Sequence, residues 1–101
     1  MAFYIYILYS TKSDIYYVGY SDNVERRVLE HNHPIRTKFT SKHLPWVLKY
    51  FFFAGETRSE AMRVEKYIKK KKSRIYIEQL IKNEEEQRRI VQLVRVPLER
   101  D

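Results

Sequence analysis

The chain contains no cysteine. That removes disulfides, thiolate zinc sites and a cysteine nucleophile together, and it suits a reducing cytoplasm. No apolar run approaches the roughly 20 residues of a membrane-spanning helix. The opening MAFYIYILYS lacks the basic start and small-residue cleavage site of a secretory leader. Internal repeats and low-complexity segments are also missing. No segment pairs a basic helical face with a broad greasy one, which argues against a membrane-surface helix. The expectation is one small ordered domain, because 101 residues suffice for a single modest core.

What the chain has in quantity is aromatic side chains and positive charge. Nine Tyr and five Phe help bring the hydrophobic share to 44%, enough to offset 33% charged residues and to argue against long disorder. Lys and Arg number 20 against 13 Asp and Glu, so the net charge is +7. An excess of that size in so small a domain favours a polyanionic partner, most simply nucleic acid.

FYIYILY (Phe3–Tyr9) and IYYVGY (Ile15–Tyr20) are β-branched and aromatic, with polar turn material between them, and predict a hairpin. A turn centred between Thr11 and Lys12 would set Tyr6 opposite Tyr17. Tyr4, Tyr6, Tyr17 and Gly19 would then share one face. Ser21, Asp22 and Asn23 supply N-cap chemistry for a helix over VERRVLEH. His33 to Leu44 reads as a loop. PWVLKYFFFAG (Pro45–Gly55) predicts a third strand, apolar on both faces and therefore central or covered. Thr57 and Glu60 form a capping box before AMRVEKYIKKKK, and Ser73 can begin another helix over RIYIEQLIKN. The order β-β-α-β-α-α describes an α/β fold: a small, three-stranded, mainly antiparallel sheet flanked by helices.

On the first helix, Val24 and Val28 mark the buried direction, and Arg27 and His31 fall one turn apart on its flank. That flank follows directly after the strand bearing Tyr17 and Gly19, so two phenols, a guanidinium and an imidazole can converge. Gly19 leaves room there for something to approach the backbone. Each piece also has an ordinary structural reading. Tyr6 and Tyr17 can be packing residues, Arg27 a solvated charge, His31 a helix-end partner for a carbonyl, and Glu65 the i,i+4 partner of Lys69.

Taken together, YIY (Tyr4–Tyr6), YVG (Tyr17–Gly19), Arg27, His31 and Glu65 within SEAMRVEKYIKK resemble a GIY-YIG nuclease domain. From Phe3 to about Ile81 the chain is most similar to the short stand-alone bacterial members described as excinuclease-subunit-C-like endonucleases. The resemblance implies metal-dependent hydrolysis of DNA phosphodiesters, by an endonuclease or nickase of DNA repair or processing. It implies one Mg²⁺ or Mn²⁺ ion held by Glu65, Arg27 facing the scissile phosphate, and Tyr6 or Tyr17 positioning or deprotonating water. His31 occupies a position where the family uses His or Tyr. A non-catalytic nucleic-acid-binding module on the same fold is the alternative.

Three departures from the family pattern stand out. Tyr4 replaces the first glycine of the name motif. Tyr20 stands where repair relatives carry a lysine, a cation that Lys42 or Lys12 would then have to supply. No asparagine follows the glutamate in the manner of several nuclease branches, since the corresponding stretch is RIYIEQL. Cations suited to phosphates occur at Arg36, Lys38 and Lys42, and again at Lys69 and Lys70 within the run to Arg74. Nothing suggests a major-groove recognition helix. The domain is expected over residues 1–83. Residues 84–101 form an extension whose apolar positions Ile90, Val91, Leu93, Val94 and Val96 either pack back on the domain or bury on a second copy.

Overall fold

The computed structural model describes residues 1–33 and 38–95. Its elements are β1 (Phe3–Ser10), β2 (Ile15–Ser21), α1 (Val24–His31), α2 (Lys38–Ser41), β3 (Trp46–Gly55), α3 (Arg58–Lys70), α4 (Arg74–Ile81) and α5 (Glu84–Arg95). The sheet order is β2-β1-β3, and both pairings are antiparallel. The α/β architecture is therefore the one expected, with β1 in the centre.

One sheet face carries Ile5, Ile7, Val18, Phe52 and Ala54, and it is covered by Ala61, Val64 and Ile68 of α3 with Leu80 of α4 and Ile90 and Val91 of α5. Burying each of the larger aliphatic side chains stabilises the fold by ~1.5–3 kcal/mol. The opposite face carries Tyr6, Leu8 and Trp46, packed by Val24 and Val28 of α1 together with Tyr17, Leu44 and Leu48. The caps read from the sequence are present. Asn23 accepts from the Arg26 N–H, Thr57 and Glu60 form the reciprocal capping box, and Ser73 accepts from the Tyr76 N–H.

Three expectations need correction. The hairpin register is two residues from the expected one, because the turn spans Thr11 to Asp14 and Asp14 takes a left-handed conformation (φ 57°). Tyr6 therefore pairs with Gly19, and Tyr17 with Leu8. A shift of two preserves side-chain alternation, so Tyr4, Tyr6, Tyr17 and Gly19 still share a face. Second, β3 is an edge strand rather than a central one. Phe51 and Phe53 account for its two-faced apolar pattern: they meet the Tyr4 ring edge-on and remain 49% and 40% exposed, because the eight-residue α1 packs nearer Leu48. Third, the stretch read as a loop contains the helical turn α2. The open question of the extension is answered by α5, an amphipathic helix with Ile90 and Val91 in the main core. Val96 lies outside the described residues.

The segment from α2 to β3 is tied over the second face by long-range bonds. The Asn32 side chain accepts from the Trp46 N–H at 2.7 Å and donates to its carbonyl at 3.0 Å, and the Trp46 indole donates to the Thr40 carbonyl at 2.9 Å. The end of α1 is thereby clamped to the start of β3, and this clamp positions His31 beside the hairpin.

Candidate active site

Across the β1–β2 pair, Gly19 faces Tyr6. A Cβ at position 19 would run into the hydroxyl and the end of the Tyr6 ring. What approaches the backbone at this glycine is thus the chain's own phenol. Tyr6 is 1% exposed, and its oxygen lies 2.8 Å from Nε2 of His31, itself 1% exposed at the end of α1. The charge of Arg27, one turn earlier on α1, acts on the phenol against the effect of burial. Among the described residues Nδ1 of His31 has no hydrogen-bond partner.

Burial, and secondarily the charge of Arg27, lower the His31 pKa to about 4. At neutral pH the ring is a neutral imidazole. Burial also pushes the Tyr6 phenol up to about 12, against the pull of Arg27, so the proton stays on the phenol. The cations near Tyr6 therefore do not bring it into the range of a general base.

The depressed His31 pKa has a measurable consequence. Above pH 6.5 neither folded nor unfolded chain protonates this ring. As pH falls towards 4 the unfolded chain takes up a proton that the folded one refuses, and up to about 3 kcal/mol of stability is lost. Urea midpoints at pH 7 and 4.5 should therefore separate more for the native chain than for His31→Phe. Equal separations would show that other groups carry the dependence.

Arg27 is fixed from its other side by Glu30, with Nη1 2.7 Å from Oε1. Glu65 projects from the middle of α3, its side chain 22% exposed, with Nζ of Lys69 at 3.2 Å. The same ammonium sits 5.4 Å from the centre of the Tyr17 ring. Tyr17 packs edge-on to His31 at 4.9 Å and lies 6.5 Å from the Tyr6 ring. Tyr6, Tyr17, Gly19, Arg27, Arg58 and Glu65 together line a cleft of about 290 Å³.

A larger cleft of about 520 Å³ shares Tyr17 with the first and has Lys69 on its rim. Its wall is Ile15, Val18, Ile68 and Ile77, and its one carboxylate, Asp14, is engaged by Arg74 at 2.8 Å. The residues singled out in the sequence gather at the smaller cleft, which Arg27 and Glu65 line and the larger one lacks.

The structure thus brings Tyr6, Tyr17, Arg27 and Glu65 to one cleft and sets His31 behind Tyr6. Lys69 stands at its edge, and Lys70 is exposed at the end of α3. Lys38 opens α2, Lys42 follows it without lining the cleft, and Arg36 lies outside the described residues. Two cleft cations were missed in the sequence, Arg26 and Arg58. Arg58 lies 5.9 Å from the centre of the Tyr20 ring and lines the cleft, whereas Lys12 and Lys42 do not line it. The signal was available: Arg58 and Glu65 are seven residues apart, two turns along one stripe of α3.

The hairpin, α1 and α3 thus bring a phenol pair, an arginine and a glutamate to one cleft. The chain belongs to the GIY-YIG family: the family model for the GIY-YIG catalytic domain matches residues 2–79. A UPF0213 protein of Listeria monocytogenes is 44% identical over 71 residues, 70% of this chain and 78% of that protein. One from Clostridium perfringens is 40% identical over 67 residues, 66% of this chain and 70% of that protein. One from Bacillus anthracis is 43% identical over 54 residues, and the match spans 54% of this chain and about half, 55%, of that relative. No solved structure matches the chain.

Proposed function

We propose that this chain is a metal-dependent DNA endonuclease or nickase that hydrolyses phosphodiester bonds during DNA repair or processing. The observation that carries the reading is the convergence of Glu65, Arg27, Tyr6 and Tyr17 on one cleft. The donor set fits Mg²⁺ or Mn²⁺. Among the described residues no three His, Asp or Glu side chains gather to cage a metal. A single carboxylate suffices for an ion that keeps several waters and borrows phosphate oxygens. Glu65 would hold the ion, which when bound supplies Lewis-acid stabilisation of the charge gathering on phosphate and leaving oxygen.

The remaining work falls to the chain's own side chains. Arg27 offers guanidinium donors to the phosphate, and Glu30 holds it in place before substrate arrives, so little reorganisation is needed. Arg58 adds a second cation at the opposite wall. Tyr6 is a neutral phenol locked to His31 and suits positioning of the attacking water rather than its deprotonation. The net charge of +7 steers DNA through its phosphates, and no helix among the described residues is long and apolar enough to cross a membrane. A cysteine-free chain of this kind suits the cytoplasm.

The second reading, a DNA-binding module without cleavage, is favoured by one observation. Glu65 is already neutralised by Lys69. Supercoiled plasmid decides between the two. With Mg²⁺ or Mn²⁺ the native chain should convert it to open circles, and EDTA should stop the reaction. Absence of cutting with both metals, on supercoiled, single-stranded and branched DNA alike, would leave only the binding module. Either way, duplex affinity should fall linearly on a log–log plot with salt, by about 0.9 per phosphate neutralised. An affinity indifferent to salt would remove DNA as the partner.

A further inference from the structure

We propose that Lys69 is an internal counter-ion of Glu65 which the metal must displace, and which once displaced becomes a phosphate contact, so that metal and DNA bind cooperatively through one side chain. This rests on Glu65 being the metal ligand. The Lys69 ammonium lies 3.2 Å from Oε2 of Glu65, one helical turn away in the favourable Glu-to-Lys direction. A dication on that carboxylate would face the ammonium across a few ångströms, and the repulsion between the two drives the flexible, half-exposed lysine away from Glu65.

It has a place to go. The side chain is 49% exposed, its Nζ already stands 5.4 Å from the centre of the Tyr17 ring, and it rims the second cleft, which meets the first at Tyr17. A phosphate lying against Tyr17 would meet an ammonium released from Glu65, while a phosphate arriving first would draw the ammonium off and leave the carboxylate open to metal. Each ligand thus removes the other's competitor, and the coupling is reciprocal by linkage. Lys66, the residue after Glu65 on the same helix, makes neither contact and is exposed, so it supplies the matched control for loss of one charge.

Mn²⁺ binding to the full chain without DNA, followed by the electron paramagnetic resonance of the unbound ion at ~0.15 M salt, tests the first half. Lys69→Met should bind Mn²⁺ about three- to fivefold more tightly than the native chain, the scale of an exposed ion pair. Lys66→Met should stay within about twofold. The second half is read by duplex anisotropy with and without Ca²⁺: the gain in DNA affinity on adding the ion should shrink in Lys69→Met. Equal Mn²⁺ affinity in Lys69→Met and the native chain overturns the proposal, and so does an equal gain from both lysine variants. If Glu65→Gln binds Mn²⁺ as well as the native chain, or the native chain and Lys69→Met both bind none, the Glu65 reading itself falls.

Discussion

Glu65→Gln is expected to lower plasmid nicking by at least about 100-fold with Mg²⁺ or Mn²⁺, while leaving the melting temperature close to native and the chain still able to bind duplex. The amide keeps the volume and the polar contact of the carboxylate but not the charge that holds a divalent ion. The loss falls on the transition state, where metal stabilisation of developing charge is worth several kcal/mol, at ~1.4 kcal/mol per tenfold in rate. The competing account, in which Glu65 merely pairs with Lys69, predicts something else. Both side chains reach solvent, so the pair holds at most about 1 kcal/mol, and its removal would trim stability without touching metal-dependent cutting. A Glu65→Gln protein that nicks at the native rate would sink the assignment. Arg27→Ala should lose cutting to a similar degree and some binding as well, since on the proposed reading this guanidinium, held by Glu30, is the one that meets the phosphate.

Much of this site was legible in the sequence because the relevant periods are short. Alternation along two strands puts Tyr6, Tyr17 and Gly19 on one face whether the register is the expected one or the observed one two residues away. One turn of helix puts Arg27 and His31 on the same flank of α1, and i,i+4 spacing puts Lys69 on Glu65. What was not legible depends on contacts far apart in the chain. The register follows from a longer turn, Thr11 to Asp14, that closes with Asp14 in a left-handed conformation. The edge position of β3 follows from β2 and β3 both pairing with β1, and the shortness of α1, which covers Leu48, leaves Phe51 and Phe53 open. The clamp of Asn32 on Trp46 joins residues 14 apart and carries no pattern that a periodicity would show. Arg58 illustrates the intermediate case. Its stripe with Glu65 was visible, but that it faces Tyr20 depends on how α3 crosses β2.

The chemistry diverged from expectation at Tyr6. A phenol surrounded by cations suggests a lowered pKa, yet the sheet buries Tyr6 so completely that desolvation outweighs Arg27. Its partner His31 is shifted the other way by the same burial, and proton transfer from one to the other is therefore unfavourable. The pair works as a fixed strut between sheet and helix, and the geometry of the cleft depends on that strut.

Gly19→Ala should break it. The added methyl would overlap the hydroxyl, its ring carbon and one neighbouring ring carbon of Tyr6, and a buried, rigid ring cannot swing aside as a lysine end could. Forcing the ring over costs ~1–3 kcal/mol as overpacking. Parting it from His31 leaves a buried imidazole without its Nε2 partner, at a further ~1–3 kcal/mol. For a domain of about 100 residues, where 1 kcal/mol moves the melting point by ~4–8 °C, the midpoint should fall by at least about 10 °C. Nicking below that midpoint should fall too, because Tyr6 and its bond to His31 shape the wall of the cleft. If glycine is instead needed for DNA to approach the backbone, the variant should melt like the native chain and lose affinity alone. Melting curves beside duplex anisotropy separate these outcomes, and a native melting point in Gly19→Ala would show that Tyr6 does not need the space that the glycine leaves.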